Sequence, residues 1–225
     1  SAAVQVVDKE NFTVLTTGGT EAKGPNNSSE VTGNSITSQI IKEALFDGDS
    51  TTYYQSATLT DGTISHGNPS LIIDLGAEYD VTEIDLTARF HSSVNWNCTG
   101  NVDGNYYVDL ATSLNDDNTW NEEADVEASA ATPWGTAEYG TTAVTFDKVT
   151  ARYVRISADS SYFHNDTLRD KLFGLGDIVV KADVNAPAVP TNVAKNLPAN
   201  QIKAVFTADG TNAKVTSLND RPLTR

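Results

Sequence analysis

The chain has 225 residues, enough to bury a sizeable core in one domain plus an extension, or in two small domains. Fifteen Lys and Arg against thirty Asp and Glu give a formal charge of −15, which repels the phosphates of nucleic acid and the anionic face of a membrane and leaves cations and neutral ligands as partners. Cys98 is the single cysteine, so no intramolecular disulfide and no cysteine-based zinc cluster can form, and the longest apolar runs, such as Leu71 to Ile73, are far too short to cross a bilayer.

Ser1-Ala2-Ala3 leads directly into polar sequence without a signal-peptide pattern, as in a mature or excised piece of a longer protein. Ser38 to Leu45, behind a Thr37 or Ser38 cap, predicts a helix of at most two turns that stops before Asp47. Everything after it reads as strand. Leu71 to Leu75 is a nearly continuous apolar run, as in a strand covered on both sides. In Glu83 to Arg89 the period is 2: Ile84, Leu86 and Ala88 share one face, Asp85, Thr87 and Arg89 the other. The same alternation recurs in Tyr106 to Thr112, Thr142 to Phe146 and Arg152 to Ser157, and Asp177 to Lys181 is again continuous. Six or more such strands between Asn, Asp and Gly turns are best buried by two sheets packed face to face, so the fold class is all-β, a β-sandwich or jelly roll.

The domain is expected to span residues 1–184. Asn185 to Pro190 reads as a stiff, extended linker. Residues 185–225 are then linker and C-terminal extension or the start of a neighbouring module, with strands at Gln201 to Phe206 and Ala213 to Thr216 around an Asp209-Gly210 turn.

The sharpest cluster lies between Leu45 and Tyr54. Asp47 and Asp49, two residues apart around Gly48 and followed by Thr52, can fold a tight loop whose oxygens converge on a hard cation, with calcium as the natural guest. The same residues also suit an ordinary surface turn, since Asp and Gly are turn formers. Spacing alone leaves both readings open.

Six segments in chain order carry a resemblance. They are Leu45-Phe46-Asp47-Gly48-Asp49-Ser50-Thr51-Thr52-Tyr53-Tyr54-Gln55-Ser56, then Ile73-Asp74-Leu75-Gly76, then the strand ending in Arg89. Tyr107 to Trp120, Arg152-Tyr153-Val154-Arg155-Ile156 and Asp177-Ile178-Val179-Val180 complete the series. Together, over about residues 8–182, they resemble the discoidin or coagulation factor 5/8 type C family, which includes the family 32 carbohydrate-binding modules. The resemblance implies a galactose-binding-domain-like jelly roll with a structural Ca2+. Its ligands would be the Leu45 carbonyl, Asp47, Asp49, Thr52 and Asp177, the last standing where the family usually has Glu, one methylene longer.

In the sugar-binding branch the resemblance implies a shallow ligand site on loops at one end of the sandwich. Planar polar groups there give paired hydrogen bonds to hydroxyls, and a ring packs on the C–H face. Arg89 matches the family's arginine at the end of the middle strand. Gln55 stands where the family has His, after Tyr54 in place of Trp. The long loop after Arg89 supplies His91, Trp96 and Asn97, with Trp96 as a stacking platform or a plug for the sandwich end. His66 is a loop histidine able to substitute for the missing family histidine if its loop leans over the site. Trp120 is expected in the core.

Catalysis finds no support in the sequence. His66, His91 and His164 are isolated, and no H-E-x-x-H, G-x-S-x-G or Walker loop occurs. The expectation is a non-catalytic, Ca2+-stabilised carbohydrate-binding module of a secreted or cell-surface protein, monomeric within a larger chain, with a weakly bound glycan as partner. The alternative is a protein-interaction, adhesion or spacer module of the same fold. Nucleic acid is excluded by charge, and the membrane is disfavoured by charge and by loop tips that are neither basic nor greasy.

Overall fold

Period-2 alternation governs the structure. The computed structural model of the chain describes residues 4–91, 96–97, 104–133, 140–161, 167–183, 204–209, 212–218 and 221–222, with residues 90–91, 96–97, 127–133 and 204 onward described as backbone only. Two units divide the chain, Ser1–Ala188 and Val189–Arg225.

In the first unit the strands are β1 (Val4–Val6), β2 (Thr13–Val14), β3 (Glu21–Lys23), β4 (Tyr53–Gln55), β5 (Leu71–Ala88), β6 (Phe90–His91), β7 (Trp96–Asn97), β8 (Asn105–Ala111), β9 (Asp125–Pro133), β10 (Thr141–Ala158) and β11 (Gly174–Asp183). Nine of them form one hydrogen-bonded antiparallel sheet in the order β3-β4-β11-β5-β10-β8-β9, with β1 on β11 and β2 on β5. The β1–β11 register sets Val4 opposite Asp183 and Val6 opposite Lys181. Inward residues of β8 (Tyr106, Val108, Leu110) and of β11 (Ile178, Val180, Ala182) belong to one core cluster. The sheet therefore folds over on itself into two layers, a jelly-roll sandwich.

The segments 71–75 and 83–89 merge into the single strand β5, and 142–146 and 152–157 merge into β10. Each of these 18-residue strands runs through both layers. Along β5 the inward positions are odd from Leu71 to Val81 and even from Ile84 to Ala88. Parity changes opposite a register shift on β10 between Thr145 and Val149, where extra residues turn the strand without ending it. Gly76 (φ 86°) and Asp147 look like turn residues in sequence. They serve as irregularities inside continuous strands.

Helix α1 (Ser38–Leu45) forms as the sequence predicts. The Thr37 hydroxyl accepts from the Ile40 N–H at 3.2 Å, and Ile41, Ala44 and Leu45 bury one face against the core. Trp120 is buried, but not in the main core: it packs with Ala111 and Tyr153 over the outer face of the β8–β10 layer. Ile72 is covered there too, which explains why the 71–75 run reads as continuous.

In the second unit β12 (Ala204–Asp209), β13 (Asn212–Leu218) and β14 (Arg221–Pro222) form a three-stranded antiparallel sheet. Among the described residues, no helix is long and apolar enough to cross a membrane.

Candidate functional site

Helix α1 delivers the chain into a tight loop. Its last turn ends at Phe46, whose N–H donates to the Lys42 carbonyl at 3.1 Å, and Gly48 (φ 71°) turns the backbone through the left-handed region. Within the loop the Asp47 carboxylate accepts from the Asp49 N–H at 3.0 Å, and Asp49 accepts from the N–H and hydroxyl of Thr51. The Thr52 hydroxyl lies 2.5 Å from Asp47 Oδ2, 2.8 Å from the Asp49 carbonyl and 3.0 Å from the Ala44 carbonyl. One hydroxyl proton cannot serve three acceptors. Three oxygens thus gather around the Thr52 hydroxyl, and all four atoms are of the hard-donor type that a cation such as calcium takes. The carbonyl brought to this point is that of Ala44, whereas the sequence pointed to its neighbour Leu45.

Asp177 reaches the loop from β11, its Oδ1 accepting from the Gly48 N–H at 3.2 Å. It thereby links the two segments that the resemblance joins. Burial pushes its carboxyl up to about 6, and the nearby Asp47 charge adds to the rise. Among the described residues no three His, Cys, Asp or Glu side chains gather as a metal cluster. A cation at this loop would rely on carbonyl and hydroxyl oxygens as much as on carboxylates.

A second cluster marks one end of the sandwich. Gln55 at the end of β4 pairs with Gly174 at the start of β11, and Leu175 pairs with Ala88 at the end of β5. The Tyr106 hydroxyl at the start of β8 donates to the Gly174 carbonyl at 2.7 Å, tying the two layers together at this end.

Arg89 extends β5 on its outer face. Its guanidinium lies 3.4 Å from the centroid of the Tyr53 ring, and its Nε is buried with no hydrogen-bond partner among the described residues. The Tyr53 hydroxyl donates to Glu21 on β3, and burial first, then the Glu21 contact, pushes its pKa well above the usual phenol range. Glu21, Tyr53 and Arg89 thus form one stacked, charge-balanced set. Of these only Arg89 was singled out in sequence. Tyr53 could have been found from its place two residues from Gln55 on one strand face. Nothing in the sequence pointed to Glu21.

Gln55 has no solvent exposure, so its side chain does not reach the surface where a sugar hydroxyl would be met. The segment after Arg89 forms a small hairpin in which Phe90 pairs with Asn97 and His91 with Trp96. This places His91, Trp96 and Asn97 directly beside the end of β5. Their side chains lie outside the described residues, as do Trp134 and the segment from Tyr162 to His164.

His66 is elsewhere. Its ring stacks on Tyr107 (centroids 4.3 Å apart, planes at 16°), and its Nε2 lies 2.9 Å and 3.0 Å from the two Asp109 oxygens. Tyr107 and Asp109 occupy the outer face of β8, whereas Arg89 and Tyr53 occupy the outer face of the other layer, so the core separates His66 from Arg89. Asp109 is fully buried and is also gripped by Arg155 Nε and Nη2, each at 2.8 Å, while Arg155 Nη1 reaches Glu122 at 3.0 Å. Gly67 (φ 85°) passes over this guanidinium, and a Cβ there would sit 3.0 Å from Arg155 Nη1. The cluster locks the 65–68 turn onto the sheet.

The model described as F5/8 type C domain matches residues 26–170 of the chain. Similar solved structures include the CBM32-3 module of a family 31 glycoside hydrolase from Clostridium perfringens (18% identity, 79% of this chain and 95% of that chain, TM-score 0.49). Another is the family 32 carbohydrate-binding module of C. perfringens NanJ in complex with galactose (16% identity, 80% and 99%, TM-score 0.48). A third is CpGH89CBM32-5 from C. perfringens in complex with GalNAc-β-1,3-galactose (13% identity, 78% and 99%, TM-score 0.44). No curated protein matches the chain.

Proposed function

Because the chain belongs to the F5/8 type C domain family, we propose that it is a non-catalytic, calcium-stabilised carbohydrate-binding module of a secreted or cell-surface protein, recognising a glycan at the Arg89 end of the sandwich. The observation that carries this reading is the Arg89 guanidinium. It is fixed on the Tyr53 ring and stands beside the hairpin bearing His91, Trp96 and Asn97. A rigid planar donor next to an aromatic-bearing loop has the chemistry that sugar hydroxyls and C–H faces require. A shallow site of this kind gives dissociation constants of roughly millimolar, about −4 kcal/mol, so the module would act by tethering or multivalency.

Ca2+ suits the loop because its convergent donors, Ala44 carbonyl, Asp47, Asp49 carbonyl and Thr52 hydroxyl, are all hard oxygens, with Asp177 as a further carboxylate. The ion would neutralise Asp47 and clamp the loop to β11. At millimolar calcium and a dissociation constant of roughly 0.1 mM, it would stabilise the fold by about 1.4 kcal/mol.

A glycan array followed by titration calorimetry tests the reading. Binding to at least one glycan is expected, lost in Arg89→Ala and in Trp96→Ala. Silence on every glycan would favour the alternative, a protein-interaction or adhesion module using the same end. That alternative draws support from the burial of Gln55 and the engagement of His66 on the other face, which remove two expected sugar contacts.

A further inference from the structure

We propose that Lys9 is a resident cation of the calcium loop: its ammonium holds the loop closed in the metal-free protein and lowers the affinity of that loop for Ca2+. The inference rests on the calcium reading above and adds to it a residue that neither the loop motif nor the matched family segment contains.

The geometry is specific. Lys9 Nζ donates to the Phe46 carbonyl at 2.5 Å, and Phe46 is the residue immediately before Asp47. Lys9, Phe46, Gly48 and Asp177 line one cavity of about 260 Å3, so lysine and aspartate border the same space.

The lysine is exposed, but its backbone is anchored. It opens a short 3-10 turn (Lys9–Asn11) capped by Asp8, whose Oδ1 accepts from the Glu10 N–H at 3.0 Å. Three residues on, Phe12 packs edge-to-face on Phe46 at 5.2 Å. Backbone and ring contacts therefore keep the base of the Lys9 side chain beside the loop. In a chain with twice as many acids as bases, this lysine is directed at a carbonyl of the cation loop.

The consequence has two opposite signs. Without metal, the ammonium offsets the Asp47 and Asp177 charges and ties Phe46 in place, so the fold gains. With metal, a divalent ion enters beside the positive charge held at the Phe46 carbonyl, so binding loses. An ordinary helix C-terminal cap would share only the first effect.

The experiment measures calcium affinity by calorimetry, and melting temperature in chelator, for the wild type, Lys9→Met, Lys9→Gln and Lys9→Arg, with Thr52→Val as the loop control. Lys9→Met keeps most of the apolar stem and guards against a folding failure in Lys9→Gln. The expected result is a lower melting temperature in chelator together with calcium binding about tenfold tighter in both neutral variants, from loss of the repulsion. Lys9→Arg should behave as wild type. Calcium affinity unchanged or weaker in the neutral variants, while wild-type binding is abolished by Thr52→Val, overturns the role of Lys9 and leaves the calcium reading standing. Absence of calcium binding in every variant overturns both.

Discussion

Asp109 and Asp177 are two buried carboxylates with opposite prospects. Asp109 is 1% exposed and shared between Arg155 and His66. Removing it in Asp109→Ala strands a buried guanidinium, and urea denaturation is expected to show a loss of about 3 kcal/mol. Among the described residues Asp177 has no such cation in hydrogen-bond contact. Burial raises its carboxyl to about 6 in the folded protein, above the value of an unfolded chain. Between roughly pH 4 and 6 the folded state then binds more protons than the unfolded state, so the contribution of Asp177 to stability falls as pH rises. Melting in chelator should therefore show a higher temperature at pH 5 than at pH 7. Asp177→Asn should flatten that difference, and an unchanged profile would show that the carboxylate is solvated. The chemistry of individual residues was unevenly legible in sequence. Asp47, Asp49 and Thr52 stand out by spacing and Arg89 by its place in the family resemblance, because tight loops and strand ends are local. The partners that decide what Arg89 and His66 do, Glu21 with Tyr53 and Asp109 with Tyr107, are set by strand pairing across tens of residues, which spacing does not encode.

At the scale of elements, alternation exposes the strands and conceals their lengths. Ile84, Leu86 and Ala88 face inward as read, yet β5 begins at Leu71 and passes through Gly76 without a break. Glycine with an aspartate nearby is the ordinary mark of a turn. Here it is an irregularity that lets one strand serve two layers. Gly76 has φ 86°, and a Cβ there would sit 2.4 Å from the Asn11 carbonyl oxygen. Gly76→Ala must shift backbone as well as adopt a left-handed conformation. Thermal unfolding should report a loss of about 2 kcal/mol or more. A near-neutral result would mean that the strand relaxes there as a flexible turn would. The helix was the easier element, because cap, apolar spacing and stop signal all lie within a dozen residues.

For the molecule as a whole, core and candidate sites belong to the first unit. Its main core cluster runs from Val7 to Ala182, so a chain ended at Ala188 is expected to unfold cooperatively in urea. The three short strands β12 to β14 offer too few residues to hold a core alone. A fragment from Val189 onward should show no cooperative transition. The all-β class followed from the sequence because period-2 patterning is a property of each segment. Closure of a single sheet into both layers did not, since it depends on where β5 and β10 change register.

The pairing of β1 with β11 also decides how the first unit answers to tension. Val4 and Asp183 face each other, and the two strands run in opposite directions. The incoming and outgoing chain therefore leave from neighbouring points. A pull that separates them loads the β1–β11 hydrogen bonds one after another, like a zip, instead of shearing them all at once. Under force, β1 should peel away first, uncovering the edge of β11 from Lys181 to Asp183 while the remaining strands still hold.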